Sequence, residues 1–132
     1  MDGNISAKYQ DVAEWVQGPA LPAGTVVVAQ GSNRAVASHT AYDTRVIGVV
    51  SDRPGVLLGE RGKDKIKVAH SGRVRVKVVA PVAAGDLLVA SRIPGHAMRS
   101  APREVEPGTI LGKALEPLER GEGAVLALLT LQ

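Results

Sequence analysis

The sequence predicts an all-β protein: a single compact barrel-like or β-clip domain of two similar β-units, with an N-terminal arm. Three observations carry this reading. The apolar residues are small and branched, 19 Val, 12 Leu and 5 Ile against no Phe, one Trp and two Tyr, and β-branched side chains favour strands. Fifteen Gly and eight Pro interrupt a 132-residue, 13.7 kDa chain, which leaves little room for long helices. Cationic and apolar residues alternate between residues 65 and 79, the period of a half-buried strand. With 45% hydrophobic and 22% charged residues, the chain has the apolar content of one folded domain.

In chain order, residues 1–20 read as the arm and 21–132 as the β-rich domain. The arm offers a short helix or irregular segment over 7–17 (AKYQDVAEWVQ), where Val12, Trp15 and Val16 fall at i, i+3, i+4 with Tyr9 one turn earlier. Gly18-Pro19 and Leu21-Pro22 then stop any helix. Strands follow at Thr25–Ala29, Ala35–Ser38 and Arg45–Ser51, the last ended by the turn Asp52-Arg53-Pro54-Gly55. Lys65–Ala69 and Arg73–Val79 read as a hairpin around His70-Ser71-Gly72, with charges on one face and Ile66, Val68, Val74, Val76 and Val78 on the other. Leu87–Ala90, Ala97–Arg99, Thr109–Leu115 and Ala124–Leu131 complete the set. The last, AVLALLTL, is apolar on both faces and should be central or covered by an interface.

Residues 22–51 and 83–116 are weakly alike. Both begin Ala-Gly-(Thr/Asp) and run into an apolar-apolar-Val-Ala strand. Both pass an Ala-apolar pair (Ala35-Val36, Ala97-Met98) and reach an apolar-apolar-Gly strand, Val46-Ile47-Gly48 against Ile110-Leu111-Gly112. These are the two similar β-units.

Charge is uneven. The whole chain carries +3, but residues 61–77 hold Arg61, Lys63, Lys65, Lys67, Arg73, Arg75 and Lys77 against Asp64 alone, a local +6 that leaves −3 elsewhere. Such a strip can face acidic residues of a neighbouring copy, the set Glu104, Glu106, Glu116, Glu119 and Glu122 among them. Nucleic acid is a poorer partner, because single-strand binders stack bases on aromatics and the strip has none.

The chemistry-bearing residues are sparse. Without cysteine, disulfides and thiolate metal sites are excluded. His39, His70 and His96 lack ligand spacing, so no metal or cofactor is expected. Ser38, His39 and Asp43 contain the types of a nucleophile, base and orienter, but neighbouring strand residues face opposite ways. No catalytic residue is therefore expected. No apolar stretch is long enough to span a membrane, and the first residues lack the pattern of a signal peptide.

Several stretches together resemble a known family: KYQDVAEWV at 8–16, YDTRVIGVVS at 42–51, SGRVRVKV at 71–78, GDLLVAS at 85–91 and GTILGKALE at 108–116. They are similar to the C-terminal domains of large bacterial surface proteins and of phage tail-spike or neck-appendage proteins. That group includes peptidase G2-like intramolecular-chaperone modules. The resemblance implies a structural self-assembly module, a homo-oligomer (a trimer) or surface filament, with an extracellular or cell-surface location. Tyr9 and Trp15 then become interface anchors, since aromatics are favoured there, together with Lys65, Lys67, Arg73, Arg75 and Lys77. An autoproteolytic or intramolecular-chaperone domain, with Asn4, Ser6 and Lys8 near the cut, is the first alternative. A polyanion-binding module is the second.

Overall fold

The computed structural model describes residues 10–101 and 106–132. Ten strands run through them: β1 Asp11–Gln17, β2 Val26–Ala29, β3 Ala35–Ala37, β4 Val46–Val50, β5 Val56–Leu58, β6 Lys65–Val79, β7 Leu87–Ala90, β8 Ala97–Arg99, β9 Ile110–Ala114 and β10 Glu122–Thr130. Among the described residues there is no helix, and so none long and apolar enough to cross a membrane. The all-β expectation holds.

The second half of β6 pairs with β10, β10 with β9, β9 with β7, β7 with β8, and β8 returns in parallel to β6 through Val78 and Ala97. This is a closed five-stranded barrel. The first half of β6 pairs with β1 and β4, β4 with β2, and β2 with β3. A single parallel bridge from Gln17 to Arg34 closes that ring. One long strand is thus shared by two small barrels.

The two units repeat several backbone hydrogen bonds. The Gly24 N–H donates to the Val50 carbonyl at 2.8 Å and the Gly85 N–H to Ala114 at 2.7 Å. Val50 and Ala114 donate to Thr25 and Asp86, both at 2.9 Å. Ser51 donates to Lys67 at 2.9 Å and Leu115 to Leu126 at 2.8 Å. Gly18 donates to Asp64 at 2.9 Å and Ala80 to Gly121 at 2.8 Å. Even the bulges correspond, at Val27/Val28 and at Leu88/Val89. Gly48 and Gly112 mark a close strand approach at equivalent places in the two units. A Cβ would lie 2.1 Å from the Ala69 carbonyl oxygen at Gly48 and 2.2 Å from that of Leu128 at Gly112.

The core explains the composition. Val27, Ala35, Val50, Ile66 and Val68 fill the first barrel. Val26, Val28, Val46 and Val49 face the other way, into a larger cluster with Val76, Val78, Leu88, Leu111, Val125, Ala127 and Leu129. A strand between two cores must be apolar on both faces, which is why β2 reads as a run of valines. Narrow barrels pack small branched side chains, and no Phe is needed.

Two readings are corrected here. Residues 11–17 are strand, not helix: Ala13 is fully buried, and β1 is laddered to β6 from Asp11 to Gln17. Spacing of i, i+3, i+4 over so few residues also suits a strand whose faces meet different surroundings. Nor is there a hairpin at His70-Ser71-Gly72, because β6 is continuous. Gly72 has φ +92°, and a Cβ there would lie 2.0 Å from the Gln10 carbonyl oxygen. Its glycine serves the crossing of β1 rather than a turn. AVLALLTL is central, as expected, with β6 on one side and β9 on the other.

Candidate self-association surface

Alternation along β6 buries Ile66, Val68, Val76 and Val78, and leaves Lys65, Lys67, Arg73, Arg75 and Lys77 partly or fully exposed. The cationic strip is therefore real, and several of its members are already engaged. Lys65 Nζ donates to the Glu60 carbonyl at 3.1 Å and Lys67 Nζ to that of Asp52 at 2.6 Å. Lys67 also stands 5.8 Å from the centroid of the Trp15 ring, a cation–π pair across the β1–β6 ladder. Arg75 Nη1 donates to Glu116 Oε1 at 2.7 Å, and the Leu126 N–H donates to the same oxygen at 2.9 Å. The Leu126 bond, then Arg75, hold the Glu116 carboxyl below its ordinary value. Glu116, expected to face a neighbouring copy, is thus paired within its own chain.

The structure divides the residues singled out from sequence into two groups. Trp15, Lys65 and Lys67 line a hollow of about 390 Å³ with Leu21 and Asp64. Arg73 and Arg75 line another of about 610 Å³ with Val74, Ala124 and Leu126. The two share a wall of Ala23, Val50, Ser51 and Asp52. Lys77 lies beyond both and donates its backbone N–H to Gly24 at 3.0 Å. Tyr9, Asn4, Ser6, Lys8 and Glu104 lie outside the described residues.

Sequence reasoning missed β5 and what holds it. Asp11 is 3% exposed. Its carboxylate accepts the Ser51 hydroxyl at 2.6 Å and the Gly55 N–H at 3.3 Å, and its carbonyl accepts the same N–H at 2.9 Å. These bonds fasten the segment after β4 onto β1, so that β5 runs parallel to it with Val12 opposite Val56 and Glu14 opposite Leu58. The only signal for β5 was a Val-Leu-Leu triplet after Pro54-Gly55, too short to show alternation.

No catalytic relay is assembled from Ser38, His39 and Asp43. Ser38 is fully buried and its Oγ has no hydrogen-bond partner. Asp43 is instead held by Arg45, at 2.9 and 3.1 Å through the guanidinium and 2.8 Å through the backbone N–H. The guanidinium bonds lead in lowering the Asp43 pKa. Among the described residues, no group of three His, Asp or Glu side chains could hold a metal ion.

No protein-family model matches the sequence, and no curated protein matches it. Solved structures do share the fold. The crystal structure of the bacteriophage phi29 gene product 12 C-terminal fragment aligns with 91% of this chain and 100% of its own length, at TM-score 0.70 and 15% identity. The pre-mature phi29 gene product 12 aligns with 92% of the chain at TM-score 0.71 and 14% identity, and this chain spans 22% of its length. The phi29 head fiber gp8.5 N base aligns with 89% of the chain and 92% of its own, at TM-score 0.55 and 15% identity. The fold of this chain is therefore shared with these bacteriophage phi29 proteins.

Proposed function

We propose that this chain is a structural self-assembly module, forming a homo-oligomer, a trimer by the sequence resemblance, or a longer surface filament. It would act outside the cell, in a phage-type fibre or appendage, and carry out no catalysis. The observation that carries the reading is the fold itself, matched over about nine-tenths of the chain by fragments of two phi29 proteins, one of them a head fiber. The charge layout supports it, since a strip of +6 beside a remainder of −3 lets copies meet with opposite fields. Particle mass by light scattering at low and high salt, followed by electron microscopy, tests it. Three chains per particle supports the trimer, and filaments support the polymer. Weakening by salt measures the share of charge pairing. A 13.7 kDa monomer at every concentration and both salts would remove the reading.

One observation favours a second reading, a self-processing module: a structural neighbour is described as pre-mature. Mass spectrometry of the chain expressed behind an upstream extension decides this. An intact fusion after prolonged incubation counts against it.

A further inference from the structure

The two units differ most in one connection. Ser51 is equivalent to Leu115, and Asp64 to Gly121, by the hydrogen bonds they make. Residues 52–63 fill that interval in the first unit, and residues 116–120, seven fewer, fill it in the second. The second barrel closes with the shorter connection, so the fold does not need the extra length. In the first unit that length forms β5.

Every residue of β5 is exposed, Val56 to 52%, Leu57 to 40% and Leu58 to 48%. Consecutive strand residues point to opposite faces, so both faces of β5 reach solvent. Its outer edge carries no strand among the described residues. Yet it is held in place: it is laddered to β1, and the segment leading into it is fastened through Asp11, Ser51 and Gly55. A connection that adds three aliphatic side chains to the surface, and fixes them there, forgoes the gain that burial would bring.

We infer that β5 is the assembly strand of this protein, covered in the working state by a second copy of the same chain. This rests on the self-assembly reading above. Area favours a second copy over a free peptide. Three residues offer far less than the roughly 800 Å² per partner of a stable interface, too little to offset the ordering of a flexible segment. A folded copy arrives already ordered and also covers the flanks, where Trp15 lines hollows of about 390 and 480 Å³. Charge points the same way: Arg61, Lys63, Lys65 and Lys67 follow β5 in the strip, and the acidic remainder of a second copy complements them. Asp52-Arg53-Pro54 before the strand and Glu60-Arg61 after it limit indiscriminate edge pairing.

The test uses the only tryptophan of the chain, Trp15, which follows the residue paired with Leu58. Mass by light scattering and Trp15 emission are followed together over a dilution series, for the wild type and for Leu57→Lys/Leu58→Lys. The wild type should form a particle of fixed mass, with emission shifting to the blue as it assembles. The variant should keep the wild-type circular dichroism and the melting temperature of the dissociated wild type, but associate at least about tenfold more weakly, with its emission shift displaced to correspondingly higher concentration. Leu57→Ser/Leu58→Ser, which adds no charge, should shift association in the same direction and decides the matter if the lysine variant misfolds. Variants that assemble as tightly as the wild type would overturn the role of β5 and leave self-assembly standing. A wild type that stays monomeric, with unchanging emission, would overturn both, and β5 would then serve a different chain.

Discussion

The first barrel and the second share their hydrogen bonds, their bulges and their close-approach glycines, yet they finish differently. The second closes on itself through the pairing of β6 with β8. The first is closed by the lone bridge from Gln17 to Arg34 and carries β5 as an addition. Where the two agree, the chain is meeting the demands of a small barrel. Where they part, as at residues 52–63, those demands no longer explain the sequence, and the role proposed for β5 offers a reason.

The sharpest way to break that equivalence is at the paired glycines. Gly48→Ala and Gly112→Ala each drive a Cβ to within 2.1 or 2.2 Å of a backbone carbonyl oxygen. Each should cost about 3 kcal/mol in chemical denaturation, and the two losses should be alike. A harmless Gly48→Ala beside a damaging Gly112→Ala would mean that the first barrel is merely an adornment of the second.

Acid separates the units more gently. In the first, the Asp43 side chain is 6% exposed and locked to Arg45. Because its folded pKa lies below the ordinary 3.8, its contribution is complete above about pH 4 and is lost as pH falls through the lowered value. Melting temperature should therefore fall below pH 4, and Asp43→Asn should flatten that fall while costing about 1–2 kcal/mol at pH 7. The second unit has a different and more exposed ion pair. Arg75 and Glu116 are 61% and 41% exposed, so Arg75→Gln should change stability by less than about 1 kcal/mol. A larger loss on assembly than on folding would place Arg75 at the interface.

Much of the fold was legible because two signals were local. Alternation along KIKVA and RVRVKVV assigns the buried and cationic faces of β6, and the Ala-Gly-(Thr/Asp) starts mark the same turn at the head of each unit. What was not legible depended on partners distant in sequence. Val12, Trp15 and Val16 fit helix and strand spacing alike until β6 is placed beside them. His70-Ser71-Gly72 has the composition of a turn, and only the crossing of β1 shows why glycine is needed in a continuous strand. At the candidate surface, alternation identified Lys65, Lys67, Arg73, Arg75 and Lys77 as outward-facing. It could not pair Arg75 with Glu116, 41 residues away, or reveal that Asp11 fastens β5 from 44 residues upstream of Gly55.

The shared strand also has a mechanical meaning. A tension applied along β6 runs from one barrel into the other along one continuous backbone that is hydrogen-bonded to β1, β4 and β10. Those bonds lie across the direction of pull, so they are sheared together and cannot be peeled apart one at a time. Neither barrel can yield by swinging about a linker, because β6 is itself part of both. In a fibre under load, such a joint would behave as a stiff splice.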